Sequence, residues 1–288
     1  MESALWIAIL LFLLWLVFNK KSIAPGPSPS GSDTHPIAKG PAWILGPAEV
    51  FREQYVSFSR IKTFEKCPRM FELIYLYDFP DRSGRAAQVG SLVHEIIHLY
   101  SAGHMGGLSE RLRAHGAIEG LLDLYDLAER HTHPTFAISA AEVRPYLENF
   151  VALNATAGFR LRAAEHECSC IIASYKLKCV VDRLDHPSQS APAIIDYKTG
   201  NPKNAVKRQL ETYAYVLGAG NYSPHELVLQ FLKDGTVRDW QYTRQLHDDA
   251  EEWLLQRIVE IEGTRVFHRR RSRLCDYCGV SEHCYKVP

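Results

Sequence analysis

The sequence predicts an α/β domain behind an N-terminal apolar helix, and three features say so. Residues 4–18 are an unbroken apolar run, and apolar residues recur at helical spacing through most of 59–155. From Cys168 onward the pattern changes to short strand-like runs interleaved with helices. The 288 residues are 46% hydrophobic and 23% charged, ordinary globular values that exclude a disordered or fibrous chain. Lys plus Arg and Asp plus Glu each total 33. A net charge of zero argues against a polybasic, histone-like binder but says nothing of a local basic groove. Seven cysteines at uneven spacing fit a disulfide-stapled secreted fold poorly. They point to a reducing compartment with thiols or a metal centre.

The apolar run, ALWIAILLFLLWLVF, is followed by Asn19-Lys20-Lys21. It reaches the roughly 20 residues of a membrane span only with the first three residues included. A cleaved signal would carry a basic stretch before the run and a small-x-small site after it; the only early charge is Glu2, and Ala24 runs into Pro25. Residues 1–21 are therefore expected to be a transmembrane anchor, with the following lysines on the cytoplasmic side. Residues 22–47, rich in Pro, Gly and Ser, read as a flexible spacer, leaving 48–288 as the folded domain.

Within that domain, Ser59 is expected to cap a helix running to Tyr77, and helices are expected over 90–100, 108–130 and 139–155. Strands are expected over 168–174, 175–184 and 193–197, then a helix over 203–217. A hairpin about Asp234-Gly235 joins 226–232 to 237–243, and a helix over 246–262 follows.

Chemistry concentrates in KCVVDRLD and AIIDYKTG. Asp182 and Asp196 end adjacent strands, with Lys198 on the same face as Asp196. Two carboxylates with open water positions suit Mg²⁺ or Mn²⁺, and a lysine beside such a metal can stabilise developing charge on a phosphate. Alone, a strand-end Asp beside Lys is an ordinary surface hairpin. His94 lies on a helix with His98 one turn later, and Gln209 and Tyr213 share a helix face near Lys207 and Arg208. Glu165, before the expected sheet, competes with Glu167 as a further acidic ligand.

In this order, His94, Asp182, Asp196-x-Lys198 and Gln209-x-x-x-Tyr213, with the phrases VVDRLD, IIDYKTG and QLETYAYVL, resemble the PD-(D/E)xK nuclease superfamily in its RecB-like branch. The resemblance runs from about Ser57 to Cys284. It implies a restriction-endonuclease-like core, a small mixed sheet flanked by helices. It also implies that His94, Asp182, Asp196 and the Tyr197 carbonyl bind divalent metal, that Lys198 is catalytic, and that Gln209 and Tyr213 support the site. The family often has Gly three residues before the first Asp; this chain has Cys179 there.

Cys275-x-x-Cys278-x₅-Cys284 closes the chain, and Cys67 precedes Pro68 far upstream. Spacing alone leaves an iron–sulfur cluster and structural zinc, for which His283 competes, equally open. Cys168, Cys170 and Cys179 read as buried, inert thiols. RecB-like nucleases with an iron–sulfur staple, among them AddB-type domains, CRISPR-associated exonucleases and the exonuclease V type, place one cysteine before the core and C-x₂-C-x₅-C after it. That resemblance implies a structural 4Fe-4S cluster on Cys67, Cys275, Cys278 and Cys284.

Arg265, His268, Arg269, Arg270, Arg271 and Arg273 form a basic run that is either a solvated face or a track for a phosphate backbone, with Tyr277 available to stack on a base. Lys203, Lys207 and Arg208 are a second such candidate. The sequence contains no G-x₄-G-K-[ST] motor motif, so unwinding would fall to a helicase partner. The expectation is a metal-dependent exonuclease acting on single-stranded DNA. A catalytically silent nucleic-acid-binding module and a membrane-tethered structural protein with a zinc tail are the alternatives.

Overall fold

A computed structural model describes residues 46, 50–82, 84–105, 107–155, 159–187, 192–202, 207–220, 222 and 224–285. The expected anchor and nearly all of the spacer lie outside these residues. Among the described residues no helix is long and apolar enough to cross a membrane.

Ser57, not Ser59, caps the first helix, α1 (Phe58–Lys66), its side chain accepting from Arg60 N at 3.3 Å. The expected continuous helix to Tyr77 breaks at Cys67, which is extended (φ −163°, ψ 112°) because the residue before a proline is pushed out of the helical region. The chain resumes as α2 (Pro68–Phe71) and a π-helical turn, Glu72–Leu76. The long helix α3 (Arg85–Gly103) follows. Where one helix was expected over 108–130 there are three, α4 (Leu108–Arg113), α5 (Ala117–Leu122) and α6 (Tyr125–Thr132), the first break falling at Gly116 with φ +84°. Helix α7 (Ala140–Asn154) begins with a capping box between Ser139 and Glu142.

Five strands form one sheet in sequence order. They are β1 (Phe159–Ile172), β2 (Tyr175–Pro187), β3 (Ala193–Lys198), β4 (Glu226–Phe231) and β5 (Thr236–Gln241). Strand β1 starts nine residues before the expected Cys168. All neighbouring pairs are antiparallel except β3 and β4, which are parallel. A parallel pair requires a crossover, supplied here by α8 (Lys207–Ala219). Helix α9 (Arg244–Gly263) follows β5.

Both faces of the sheet are covered. One face packs Leu177, Val181, Ile194, Leu227 and Leu229 against Leu210 and Ala214 of α8, Leu254 and Ile258 of α9, and Ile61 of α1. The other packs Ile195, Tyr197 and Val228 against Val93, Ile96 and Ile97 of α3 and Leu147 and Phe150 of α7. The mixed, helix-flanked sheet is the architecture expected from the sequence. Alternation along β3 then sends Ile194, Asp196 and Lys198 toward α8 and Ile195 and Tyr197 toward α3.

A buried polar cluster locks the α7 layer to the sheet. Arg183, 1% exposed, grips Asp185 with two bonds, Nε to Oδ1 at 2.6 Å and Nη2 to Oδ2 at 2.5 Å. Its Nη1 donates to Asn154 Oδ1 at 2.8 Å, and Asn154 exchanges two bonds with Gln230 of β4, at 2.8 and 3.0 Å. Removing one member of a buried ion pair strands the other charge. Arg183→Met is therefore expected to lower the unfolding free energy by about 3–5 kcal/mol, read by chemical denaturation. A loss under about 1 kcal/mol would show that the cluster is not a structural tie.

Candidate active site

The site lies where α3 meets the middle of β1 and β2 and the end of β3; Asp182, expected at a strand end, lies inside β2, which runs on to Pro187. Helix α3 approaches this edge closely at Gly90, where a Cβ would lie 2.7 Å from Thr199 Oγ1. A side chain there would force Thr199 to move, and one turn on the helix delivers His94 to the strands. His94 Nδ1 lies 3.4 Å from Asp182 Oδ2, and its ring is edge-on to Tyr197. The Tyr197 backbone N–H donates to the same Asp182 oxygen at 2.8 Å, which orients the carboxylate.

A third ligand atom comes from Glu165. Donor atoms of His94, Glu165 and Asp182 all lie within 4.8 Å of one another. The pairs Ala164↔Arg183 and His166↔Val181 put Glu165 directly across from Asp182. Its φ is +47°, rare for a residue with a side chain. Ala164 packs with the α3-side core, while Cys168, four residues on, packs with the opposite one. The strand therefore changes phase between them, and β2 does the same between Val181 and Leu184, both on the α8 side. The competitor Glu167 turns outward, 2.9 Å from Lys178 and 63% exposed.

On the α8 side, Lys198 Nζ contacts Asp196 Oδ2 at 2.5 Å and donates to Gln209 Oε1 at 2.8 Å. Gln209 Nε2 in turn donates to Tyr213 OH at 2.6 Å. Asp196 is 1% exposed, and its Oδ2 has no aligned hydrogen-bond donor. Burial, then the Asp182 charge, pushes the Asp196 carboxyl up to about 6, against the pull of Lys198. The same two causes push Glu165 up to about 7. Crowded, partly desolvated carboxylates beside an imidazole form a donor set that a hard divalent cation such as Mg²⁺ or Mn²⁺ fits, since it cancels the repulsion that raises those values.

The structure thus brings His94, Asp182, Asp196, Tyr197, Lys198, Gln209 and Tyr213 to one edge and adds Glu165. His98, one turn past His94, is half-buried and does not join them. Lys207 and Arg208 are not free for a phosphate backbone. They pair with Glu211 at 3.3 and 2.8 Å and lie over the rings of Trp240 and Trp253. Lys203 lies outside the described residues.

The chain belongs to the PD-(D/E)XK nuclease superfamily. Its family model matches residues 55–285, nearly all of the folded part. Members are metal-dependent nucleases, consistent with the donor set above. No curated protein matches the chain in sequence. Among solved structures, the chain is similar to a proposed exonuclease from Eubacterium rectale, at 14% identity and TM-score 0.49, covering 81% of this chain and 88% of that one. It is also similar to the protein SSO0001, at 14% identity and TM-score 0.35, covering 80% of this chain and 96% of that one.

Cys67, Cys275, Cys278 and Cys284 line one cavity of about 290 Å³ at the far end of the domain. Arg270 N donates to Cys67 Sγ at 3.4 Å, and Ser272 N to Cys275 Sγ at 3.5 Å. No three of these thiols come within 4.8 Å of one another. His283 stacks on Phe79, ring centroids 4.0 Å apart, away from the cavity wall. In the basic run, Arg269 lies over Tyr285 and Arg271 donates to its hydroxyl at 3.0 Å, while Tyr277 is 79% exposed.

Glu165 and Asp196 bind their protons more tightly in the folded chain than at their ordinary values of 4.5 and 3.8. From those values up to about 7 and about 6 the folded state holds the extra protons, so rising pH removes stability across that window. Metal-free protein should therefore lose stability from about pH 4.5 to about pH 7, with a shallower slope in Glu165→Gln. Because Mg²⁺ or Mn²⁺ competes with those protons, either should raise Tm more at about pH 7 than at about pH 5. Equal shifts at both would contradict this assignment.

Proposed function

We propose that this protein is a metal-dependent exonuclease that hydrolyses phosphodiester bonds at the ends of single-stranded DNA. The observation that carries the reading is the meeting of His94, Glu165 and Asp182 with Asp196 and Lys198 at one sheet edge, in a chain of a nuclease superfamily. His94, Glu165, Asp182 and Asp196, with the Tyr197 carbonyl, would hold Mg²⁺ or Mn²⁺. When bound, the metal supplies a nucleophilic water and Lewis-acid stabilisation of the phosphate. The protein's own part is positional and electrostatic. Tyr197 N–H fixes the Asp182 carboxylate, and Gln209, braced by Tyr213, aims the Lys198 ammonium. From there Lys198 donates to the attacking oxygen or to a non-bridging phosphate oxygen as charge builds.

The four cysteines are proposed to carry a structural 4Fe-4S cluster. A tetrahedral zinc site with Zn–S near 2.3 Å would draw its thiolates together within about 4 Å. No three of the thiols stand that close, and backbone N–H groups aimed at two sulfurs, with arginines along the wall, suit a larger anionic cluster. A tether by residues 1–21, a cytoplasmic domain and a helicase partner rest on the sequence alone.

The test is degradation of end-labelled single-stranded DNA by the full chain, purified without oxygen, with Mg²⁺ or Mn²⁺. Lys198→Ala should lower the rate at least about 100-fold while DNA binding persists. Cleavage that survives in Lys198→Ala would place the chemistry elsewhere; binding without cleavage by the wild type would leave a silent module. Cys67→Ser should lose iron and visible absorbance and lower Tm by about 5–15 °C, the scale of losing a long-range crosslink. Full absorbance in that variant would remove Cys67 from the ligand set.

A further inference from the structure

Tyr213, which braces Gln209 and through it Lys198, also lines a second cavity of about 260 Å³. Its other walls include Tyr55, Arg60, Tyr75 and Lys178. A short parallel bridge builds them: Val56 N donates to Lys176 O at 2.8 Å and Lys178 N to Val56 O at 2.9 Å, laying Tyr55 beside Lys178. The Lys178 ammonium stands 5.6 Å from the Tyr55 ring centroid. The Arg60 guanidinium lies over Tyr55 at 4.1 Å and near Tyr75 at 4.9 Å.

Arg60 is 7% exposed. It is held by neutral acceptors, Tyr55 O at 2.9 Å and the Gln54 side chain. A nearly buried cation held by neutral acceptors, aromatic rings and the Lys178 ammonium at the rim, whose partner Glu167 is 63% exposed and so only weakly held, make a receptor for a planar group carrying an anion. The volume falls just under the roughly 300–1,000 Å³ of drug-sized pockets, too small to admit a base pair.

We infer that this cavity receives one unpaired nucleotide of the strand being cut, its base against the face of Tyr55 that Arg60 does not cover and its phosphate toward Lys178 in place of Glu167. The inference rests on the nuclease reading and deepens it, because it gives single-strand preference a physical source. A paired base would first have to leave its stack and its partner, at a cost of a few kcal/mol. Stacking of this kind tolerates any base, so little sequence preference follows. An occupied cavity also packs against Tyr213, whose bond to Gln209 belongs to the chain that aims Lys198.

The test is fluorescence anisotropy of labelled oligodeoxynucleotides binding the full chain in EDTA, with a single abasic residue stepped along the strand from its end. In the wild type, the abasic residue should weaken binding about tenfold at one position, the scale of one stacked base. Tyr55→Ala should weaken binding of the intact strand by a similar factor, and the two losses should not add, since both delete the same contact. Tyr55→Phe keeps the ring and should keep both the affinity and the abasic sensitivity, which separates lost stacking from a folding defect. Affinities within about twofold at every abasic position, losses that add, or no binding of the intact strand would each overturn the inference. The assay needs neither metal nor cleavage. Wild type that shows the stacking pattern but does not cut DNA would therefore sink the nuclease reading and not the subsite.

Discussion

The site depends on carboxylates held closer together than water would allow. Glu165 and Asp182 face each other across β1 and β2, and burial and the Asp182 charge both lift Asp196 well above its ordinary range. Like charges directly opposite in a sheet are destabilising, and the phase change at Glu165 adds a left-handed residue to that cost. Such an arrangement persists only where the surroundings over-determine it. Here the surroundings are the Arg183–Asp185–Asn154–Gln230 cluster one residue beyond Asp182 and the close seating of α3 at Gly90. A divalent cation turns the same repulsion into binding energy, so strain without metal and affinity for metal have one origin.

The two helical layers contribute different halves of the chemistry. The α3 side brings His94 to Glu165 and Asp182, while the α8 side presents Lys198, Gln209 and Tyr213 around Asp196. Strand β3 separates them, alternate residues serving alternate layers, and Tyr197 joins them by giving its ring to one core and its N–H to Asp182. Sliding either layer by about an ångström would part the lysine from the metal ligands, a displacement that costs catalysis heavily. The far end of the domain answers the same need. Cys67, extended because Pro68 follows it, meets the C-terminal tail across 203 residues of chain in the bond from Arg270 N.

Most residues of this candidate site could be named from the sequence because their order and spacing resemble a nuclease family, while local pattern alone left them ordinary. Asp196 and Lys198 end an apolar strand, Asp182 follows an apolar run inside another, and Gln209 and Tyr213 fall four apart on a helix. Glu165 was undervalued for a physical reason. Alternation gives Glu165 and Glu167 the same standing, and only the change of strand phase separates them, an effect of three-dimensional pairing with no local signature. Ser57 and Ser59 are similarly equivalent as caps until the Val56 bridge fixes where the chain turns into the helix. The α8 cations show the reverse error. Lys207 and Arg208 look like free charges in sequence, yet both are tied to Glu211 on the same helix, whose single negative charge offsets one of the two.

That pairing bears on where a strand can run. Among the described residues, cations also stand on the Tyr55, Arg60 and Lys178 side of Tyr213 and beside the four cysteines. A backbone drawn by charge alone would have no reason to stop at the metal ligands. A base seated on Tyr55 would supply that reason, because stacking fixes one nucleotide in place while the neighbouring phosphates remain free to slide. On the proposed reading, steering by dispersed arginines and registration by a single aromatic pocket would be separable tasks carried by separate surfaces.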